Sequence, residues 1–317
     1  MILSEKTNAT RQAIRQLLGT SRTHLVTTHR DPDMDAVGSL MGWMGVLKGA
    51  GVEVEGWMAE GVPMWLHLLP GVDEIQTQIP RNQYDMIWVL DCAGLNRVAQ
   101  WESLQGVKGV VLNVDHHMDN TGFGDHVLTE PVSSVGELLT GLAREWSLGV
   151  SPTTATWWMG AIVADTGRFL FSNTTSHTLA AMHWLCEQGG DMGMVTHFLD
   201  ESLTVDGLEA LRQALNGVSL DESGRMAMVV LPPGMDEGVA VIRVLRQVKS
   251  IEVMAVFRRL PSGGVRVNLR SKHQVAVNQI AHAWGGGGHA RAAGVTLDLP
   301  MNDAVAVVRQ ALSAALP

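Results

Sequence analysis

The stretch that decides the fold reads Thr28-His29-Arg30-Asp31-Pro32-Asp33-Met34-Asp35-Ala36-Val37-Gly38-Ser39. The apolar run at residues 24–28 predicts a short buried strand, and residues 40–51 predict a helix that a glycine ends. One imidazole and several carboxylates therefore crowd a strand-to-helix turn, which in an open α/β sheet is the ligand crevice at the carboxyl ends of the strands. Because carboxylates this close repel one another unless a cation lies between them, the turn indicates a cation site.

The same turn could also be an ordinary polar loop or a calcium-binding EF-hand loop. An ordinary polar loop before a helix is common, and the segment alone leaves that interpretation open. The spacing of Asp31, Asp33 and Asp35 also resembles an EF-hand, which requires glycine at position six of its loop and glutamate at position twelve. Those positions hold Ala36 and Gly42, so calcium binding of the EF-hand kind is excluded.

The composition is that of a globular chain with room for two domains. The chain has 317 residues, of which 46% are apolar and 17% are charged. No apolar run approaches the roughly 20 residues of a membrane span, and the first residues lack the layout of a signal peptide. With only Cys92 and Cys186, neither a disulfide framework nor a cysteine zinc cluster is expected. The sequence predicts a cytoplasmic protein that does not associate with membranes.

Charge is unevenly distributed along the chain, although the net charge is −9. From Arg225 to Arg309 there are 11 basic and 5 acidic residues, whereas residues 1–222 hold 12 basic and 27 acidic ones. An acidic half with clustered carboxylates suits divalent cations, and a basic half suits phosphates. Chance surface bias is the alternative, but the asymmetry favours two domains with different roles.

The first part of the chain alternates strands with helices, which favours a parallel sheet. A capping box formed by Ser134 and Glu137, and the pair Ser151-Pro152, mark two helix starts. We predict a domain over residues 1–190, with strands at 24–28, 52–58, 84–90 and 107–114, and helices at 4–18, 40–51, 134–147, 152–165 and 175–188.

The composition changes after about residue 190, where a helical linker over 191–222 is predicted. Residues 223–317 then predict a smaller α/β domain with a mostly antiparallel sheet. Its predicted strands are 226–231, 252–259 and 264–269, and its predicted helices are 236–249, 275–283 and 302–315.

Residues of metal-ligand type recur where predicted elements end. A single histidine or aspartate after a strand is structural more often than not, but four such segments in one domain are hard to dismiss. Imidazole and carboxylate without thiolate favour Mn²⁺ or Mg²⁺, and there are enough ligands for two ions that share one carboxylate. The four segments are His29 with Asp33 and Asp35, Asp91, Asp115-His116-His117, and Asp165.

These segments resemble the four motifs of the DHH phosphoesterases, which occur in the same order. The later segment Gly285-Gly-Gly-Gly-His289-x-x-Ala292-Ala293-Gly294, preceded by Asn268-Leu269-Arg270-Ser271-Lys272, resembles the signature of the DHHA1 domain. The resemblance spans residues 24–295, and the size and layout are similar to the nanoRNase/pAp phosphatase branch. It implies an α/β fold in which a parallel-sheet DHH domain has helices on both faces and a smaller DHHA1 domain follows.

The resemblance also implies roles for individual residues. One metal would be held by His29, Asp33 and Asp91, and a second would be held by Asp35, Asp91, His116 and Asp165, with Asp91 bridging. His117 would face the scissile phosphate as a ligand or proton donor, and Asp115 would orient an imidazole. Two positions depart from the commonest pattern, namely Asp31 where asparagine is usual and Met34 where glycine is usual.

A second group of residues is expected to bind the substrate. Arg270 offers a bidentate fork for a phosphate or a stacking plane for a base, and the glycines remove every Cβ so that backbone N–H groups can approach an anion. A flexible joint is the alternative for the glycine run, as a surface charge is for Arg97, and the tryptophans are interpreted as core. The expected binding residues are Arg97, Arg266, Arg270, Ser271, Lys272, Gly286, Gly287, Gly288 and His289.

The predicted function is Mn²⁺-dependent hydrolysis of very short RNA oligonucleotides to mononucleotides, with 3′-phosphatase activity on pAp implied by the resemblance. The main alternative is a phosphodiesterase for cyclic dinucleotides or their linear products, pApA and pGpG. A non-catalytic nucleotide sensor is a more distant hypothesis, and an inorganic pyrophosphatase would carry a different second domain. The sequence does not determine the oligomeric state, for which a homodimer is one candidate.

Overall fold

The computed structural model describes residues 5–63, 66, 70–201, 204–233, 235, 238–261 and 263–317. It divides into two compact units, Met1–Ser202 and Leu203–Pro317, so that the predicted linker is shared between them. Residue 4, where the first predicted helix begins, lies outside the described residues, as do residues 236 and 237 at the start of a later one.

The first unit is built on a six-stranded sheet in which all the paired strands are parallel. The spatial order is β3-β2-β1-β4-β5-β6, which confirms the predicted parallel sheet. The short strands β3 and β6 were not predicted. The strands are β1 (Thr23–Thr27), β2 (Glu53–Trp57), β3 (Ile75–Gln76), β4 (Gln83–Leu90), β5 (Lys108–Asp115) and β6 (His126–Thr129).

Helices cover both faces of this sheet, as the resemblance implied. In β4, Met86, Trp88 and Leu90 point into the larger apolar core, which α1, α2, α4, α5 and α6 complete. Ile87 and Val89 alternate with them and join a smaller core beneath α3. The helices are α1 (Glu5–Thr20), α2 (Met34–Gly49), α3 (Trp101–Gln105), α4 (Val135–Trp146), α5 (Pro152–Asp165), α6 (Ser176–Glu187) and α7 (Met192–Asp200).

The helix after the first motif starts earlier than predicted. The sequence prediction placed residues up to Ser39 in a turn, but α2 begins at Met34 because Asp33 caps it and accepts a hydrogen bond from the backbone N–H of Ala36 at 3.1 Å. Asp35 therefore lies in the first turn of a helix. Gly38 lets α2 approach α5 closely, since a Cβ there would lie 2.7 Å from the carbonyl oxygen of Trp157.

The start of α4 differs in detail from the predicted capping box. Ser134 is the N-cap and accepts from the backbone N–H of Glu137 at 3.0 Å, as expected. The Glu137 carboxylate instead accepts from the backbone N–H of Ser133, one residue earlier, at 3.1 Å and from the Thr178 hydroxyl at 2.8 Å. Glu137 therefore ties the residues before α4 to α6.

The second unit contains a mostly antiparallel six-stranded sheet, as predicted. Its spatial order is β11-β12-β10-β9-β8-β7, and among the described strands only β8 and β9 pair in parallel. The strands are β7 (Ser219–Leu220), β8 (Met226–Val230), β9 (Val253–Arg259), β10 (Val265–Ser271), β11 (Gly287–His289) and β12 (Ala292–Leu297). The helices are α8 (Val205–Asn216), α9 (Val239–Gln247), α10 (Val277–His282) and α11 (Met301–Ala315).

The two faces of this second sheet are covered differently. Residues of α10 and α11 pack on one face, against Val265, Val267 and Leu269 of β10. On the opposite face, α8 and α9 pack against β8 and β9. The polar residues of β10 point toward this opposite face, beside the part that α8 and α9 cover.

No strand was predicted over the glycine run, but residues 287–289 are extended. They form the edge strand β11, which pairs with β12. A Cβ at Gly286 would lie 2.4 Å from the carbonyl oxygen of Gly294. Gly288 has a φ of 130°, and a Cβ there would lie 2.5 Å from the carbonyl oxygen of Ala292. The close approach of the two strands therefore explains why residues 286 and 288 are glycines, whether or not they also bind a ligand.

Within the described part of the chain, the helices are too short or too polar to cross a membrane.

Candidate metal centre

The ends of three neighbouring strands and of one helix bring the predicted ligands of the first unit together. His29 follows β1, Asp91 follows β4, Asp115 ends β5, and Asp165 ends α5. Asp91 has a left-handed backbone with a φ of 54°, while its N–H still donates to the carbonyl of Val114 at 2.9 Å. A strained conformation of this kind is typical of residues that a functional site holds in place.

His29, Asp33 and Asp91 form the first group of potential ligands, with one donor atom from each within 4.8 Å of the others. Nδ1 of His29 lies 2.6 Å from the carbonyl oxygen of Arg30, which can only accept, so Nδ1 carries a proton. The other ring nitrogen, Nε2, lies 3.5 Å from Oδ2 of Asp91. The hydrogen bond at Nδ1 therefore leaves Nε2 as the ligand atom of the imidazole.

Asp35, Asp91 and His116 form a second group, and Asp91 is common to both. Nδ1 of His116 donates to the carbonyl of Val132 at 3.2 Å. Its Nε2 lies 3.3 Å from Oδ2 of Asp165, 3.5 Å from Oδ1 of Asp91 and 3.7 Å from Oδ2 of Asp35. Three carboxylates therefore converge on one imidazole nitrogen.

Asp35 is held at the N-terminus of α4. Its Oδ2 accepts from the backbone N–H of Val135 at 2.7 Å, and its Oδ1 accepts from Gly136 N–H and from the Ser39 hydroxyl, both at 3.0 Å. The positive end of a helix dipole favours a carboxylate in this position. This anchor was not predicted, since nothing in the sequence links residue 35 to residues 135 and 136.

His117 is oriented by a carboxylate, as the resemblance implied. Its Nδ1 donates to Oδ1 of Asp115 at 2.8 Å, and Oδ2 of Asp115 accepts from the side-chain amide of Asn120 at 2.6 Å. Asn120 was not among the predicted residues. Asp91, Asp115 and His117 form a further group of three within 4.8 Å, so Asp91 belongs to three such groups in this unit.

The pKa values of His29 and His116, two of the imidazoles beside Asp91, are raised, and the pKa of Asp91 is lowered. Burial alone would lower the pKa of His29, but the hydrogen bond and charge of Asp91 overcome it and raise that pKa to about 8. Burial is likewise outweighed for His116, whose pKa lies well above its usual range beside Asp91, Asp165 and Asp35. Burial would raise the pKa of Asp91, yet His116 and His29 hold it well below its usual range.

The pKa values of the other two carboxyl groups beside His116, those of Asp35 and Asp165, are raised. Burial, followed by the charge of Asp91, raises the pKa of Asp35 to about 7. Burial also raises the pKa of Asp165 well above its usual range, with Asp35 adding to the effect and His116 opposing it. In this cluster, protons therefore supply positive charge that a divalent cation would otherwise provide.

The donor set fits a hard or borderline divalent cation. Oδ1 of Asp91 is buried and has no hydrogen-bond partner among the described residues, so a cation would satisfy it. The donors are carboxylate oxygens and imidazole nitrogens, and no thiolate is among them in the groups that the described residues form. Cys92 follows Asp91 directly, but burial raises the pKa of its thiol to about 12, and the thiol donates to the carbonyl of Gly94 at 3.3 Å. The thiol is not among the groups of potential ligands that meet at Asp91.

The two departures from the motif have local explanations. Asp31 has a φ of 51°, a left-handed conformation that asparagine and aspartate tolerate better than most residues. Met34 is the first residue of α2 and is buried, so no glycine is needed for the turn there. Arg97 ends a single 3₁₀ turn, Leu95–Arg97, and lies near enough to His29 for its charge to act against protonation of that imidazole.

In the second unit, one row of polar and small residues crosses three strands. Arg266, Asn268 and Arg270 alternate with the buried apolar residues of β10 and share a face of the sheet. Arg270 pairs in register with Ala292, and Ala292 pairs with His289. The neighbouring row joins Asn268, Gly294 and Gly287. Arg266, Arg270 and His289 therefore flank a strip of small residues, which consists of Ala292, Gly294 and Gly287.

Ser271 and Lys272, both predicted to bind substrate, have other partners. Ser271 is buried, and its hydroxyl donates to the carbonyl of Val275 at 2.6 Å. By strand alternation it lies on the face opposite Arg270, so we withdraw it as a binding residue. The ammonium of Lys272 donates to the carbonyl of Val248.

Comparison with known protein families agrees with this architecture. Residues 23–162 match the DHH family, N-terminal domain, and residues 226–315 match the DHHA1 domain. Together the two matches cover more than half of the chain.

Individual proteins of known name are similar to this chain over most of its length. The "bifunctional oligoribonuclease and PAP phosphatase NrnA" of Thermus thermophilus is 32% identical over 284 residues, which cover 86% of this chain and 83% of the relative. The "cyclic-di-AMP phosphodiesterase PdeA" of Listeria monocytogenes is 28% identical over 88% of this chain and 45% of its own length. An "exopolyphosphatase-related protein" from Bacteroides fragilis shares the fold, with a TM-score of 0.88 at 20% identity over 99% of this chain and 98% of that one. The chain therefore belongs to the DHH family of phosphoesterases, and its second unit is a DHHA1 domain.

Proposed function

We propose that this chain is a Mn²⁺-dependent phosphodiesterase of the cytoplasm that hydrolyses very short RNA oligonucleotides to mononucleotides. We include in the proposal removal of the 3′-phosphate of pAp. The observation that carries it is the meeting of three ligand groups at Asp91 in the first unit. The relative from Thermus thermophilus, whose name gives both activities, supports the choice of substrates.

In this proposal the groups hold two metal ions. His29, Asp33 and Asp91 would hold one ion, while Asp35, Asp91, His116 and Asp165 would hold the other. The bound pair, with Mg²⁺ as the alternative metal, would activate a water and neutralise charge on the phosphate. Asp91 would contact both ions, which agrees with its buried Oδ1 and its position in each of the ligand groups that the described residues of this unit form.

We assign His117 to the phosphate rather than to a metal. Because Nδ1–H of His117 donates its hydrogen bond to Asp115, Nε2 is the atom that is able to contact a phosphate oxygen or to give a proton to the leaving group. Asn120 holds the second oxygen of Asp115, so that the carboxylate keeps its orientation. Arg97 is proposed as a further phosphate ligand because its carbonyl accepts from the backbone N–H of Arg30 at 2.7 Å, which places it beside His29.

The second unit is proposed to hold the part of the substrate that is not cleaved. Arg266, Arg270 and His289 border the strip of small residues on the sheet face opposite the side chains of Val265, Val267 and Leu269. The backbone at Gly286, Gly287 and Gly288 remains part of this proposal, although close strand packing also explains two of these glycines. A few basic contacts suffice for a dinucleotide, whereas a long RNA would meet the acidic surface of the first half.

A second candidate function is hydrolysis of cyclic dinucleotides or of the linear dinucleotides derived from them. It is favoured by the match to the Listeria phosphodiesterase, which covers 88% of this chain. The metal centre would be the same in both cases. The two candidates differ only in what the second unit must accommodate.

Initial rates on a panel of substrates test the proposal. We would incubate the protein with Mn²⁺ and, separately, 5′-labelled RNAs of two to about ten nucleotides, pAp, pApA and cyclic di-AMP. We expect the fastest cleavage for the shortest RNAs, with measurable release of phosphate from pAp. Faster cleavage of cyclic di-AMP than of any RNA would favour the second candidate. Tight nucleotide binding without turnover would indicate a sensor and contradict both.

A further inference from the structure

Asn173 joins two separate parts of the proposed metal centre. Its side-chain NH₂ group donates to the carbonyl oxygen of Asp165 at 3.1 Å and to that of Ser133 at 3.2 Å. Both partners are carbonyls, which only accept, so the orientation of the amide is determined by its surroundings. The two N–H bonds of one amide are thereby both used to link the end of α5 to the residues before α4.

Each of these two parts holds ligands of the proposed second metal. The backbone around Ser133 orients His116 through the carbonyl of Val132 at 3.2 Å. Two residues after Ser133, the N–H groups of Val135 and Gly136 bind the carboxylate of Asp35. The other part is Asp165 itself, whose Oδ2 lies 3.3 Å from Nε2 of His116. The amide therefore couples the position of Asp165 to that of the other two ligands.

A left-handed turn brings Asn173 back to Asp165. Eight residues further along a continued α-helix, Asn173 would lie about 12 Å from Asp165. Instead Gly167, Arg168 and Phe169 have φ values of 54°, 62° and 64°, and the chain reverses. Left-handed backbone is unfavourable for a residue other than glycine, so this turn needs support.

Contacts within the first unit provide that support. The guanidinium of Arg168 donates to the Asp200 carboxylate at 2.7 Å and to the carbonyl of Leu199 at 3.0 Å. The backbone N–H of Phe169 donates to the hydroxyl of Thr166 at 3.1 Å. A strained turn that is kept beside a proposed metal ligand is more readily explained by the site than by the fold.

We propose that Asn173 is a positioning residue for the second metal, acting through Asp165 and the backbone at Ser133. The inference rests on the proposed function only through the metal pair. Loss of an outer contact of this kind typically lowers metal affinity by about 10- to 100-fold.

Two substitutions distinguish this role from simple electrostatics. Asn173→Ala removes both donated hydrogen bonds. Asn173→Asp has nearly the same shape but sets a carboxylate against two carbonyl oxygens, and it adds a negative charge near the metals. If only charge mattered, Asn173→Asp would bind Mn²⁺ more tightly than wild type. The positioning role predicts that both variants bind it more weakly, with the aspartate variant at least as weak as the alanine variant.

The test is a Mn²⁺ titration that counts sites by the electron paramagnetic resonance of free Mn²⁺, with thermal melting in EDTA as the check on folding. Asn82→Asp, which adds the same charge at an exposed position of the same unit, is the control and should bind as wild type does. We expect one site to remain and the other to weaken by about 10- to 100-fold in both Asn173 variants. Unchanged two-site binding in Asn173→Asp would overturn the inference.

A further variant keeps the test decisive if those two do not fold. Asn173→Ser retains one hydroxyl donor for one of the two carbonyls, and weakened binding at one site would support the inference, whereas wild-type binding at both would overturn it. The proposed function is judged separately on the wild-type protein. Binding of two Mn²⁺ ions without cleavage of dinucleotides would contradict the function and leave the positioning role intact.

Discussion

Nδ1 of His117 donates a hydrogen bond to Oδ1 of Asp115 across 2.8 Å, while the adjacent His116 turns its Nδ1 to the backbone carbonyl of Val132. Two neighbouring imidazoles thus have different partners. Either kind of partner leaves Nε2 as the nitrogen that faces the site, but three carboxylates converge on Nε2 of His116, whereas the Asp115 carboxylate raises the basicity of His117. The two histidines should therefore respond differently to substitution.

Replacement of His117 by alanine should lower kcat for a dinucleotide by about 10²–10⁴-fold, the usual range for a lost acid–base group, while bound Mn²⁺ is retained. His116→Ala should instead weaken Mn²⁺ binding. Metal titrations and rates on both variants decide the matter, with His183→Ala on the exposed face of α6 as the control. Equal metal loss in the two variants would reject this division of roles.

Mn²⁺ binding should depend on pH because protons occupy the centre in the absence of metal. The pKa of His29 is raised to about 8 and that of Asp35 to about 7, so below these values a metal must displace protons. The apparent affinity should rise with pH up to at least pH 8, by about tenfold per pH unit for each displaced proton, since the raised pKa values of His116 and Asp165 act in the same direction. Titrations between pH 6 and 9, with proton release followed by an indicator dye, measure this. An affinity that is constant below pH 8 would contradict the assignment.

Arg270 should matter only for substrates that reach the second unit. Arg270→Ala should lower kcat/KM for a dinucleotide by roughly 1.5–3 kcal/mol, the scale of a charge-assisted hydrogen bond. A small activated phosphodiester that reaches only the metals should be cleaved almost as fast as by wild type, because remote binding energy is not used there. Arg259→Ala removes the same charge from an exposed position of β9 and is the control. Equal losses on both substrates would contradict the proposed role of this unit.

The convergence of ligands was predictable because it follows from a simple rule of parallel sheets. β1, β4 and β5 are neighbours in the sheet, so the residues at their carboxyl ends meet at one edge. His29, Asp91 and Asp115 lie at those ends. The identity of the residues and the alternation of strands with helices were both readable from the sequence.

The supports of these ligands were not predictable. Asp35 is bound by backbone N–H groups 100 and 101 positions away, and Asn173 donates to a carbonyl 40 positions away. Contacts made by backbone N–H and carbonyl groups cannot be predicted from residue identity, since every residue other than proline has both groups. Such contacts become visible only when the fold is known.

The sequence-based predictions that were wrong for the second unit failed for physical reasons that can be named. Strands β11 and β12 were missed because glycine and alanine have low strand propensity, although cross-strand packing outweighs it here. Ser271 could have been excluded from the sequence alone. Val265, Val267 and Leu269 point to the core, so the two-residue period of a strand places residue 271 on the same buried face.

The central claim is that Asp91 joins two metal ions into one catalytic pair. The most direct test combines Mn²⁺ stoichiometry with the rate of dinucleotide cleavage in Asp91→Ala and Asp91→Asn, with the exposed Asp73→Asn as the control. We expect binding to weaken at both sites at once and transition-state stabilisation to fall by several kcal/mol at saturating Mn²⁺, while the control behaves as wild type does. Two tightly bound Mn²⁺ ions and wild-type turnover in either Asp91 variant would contradict the account.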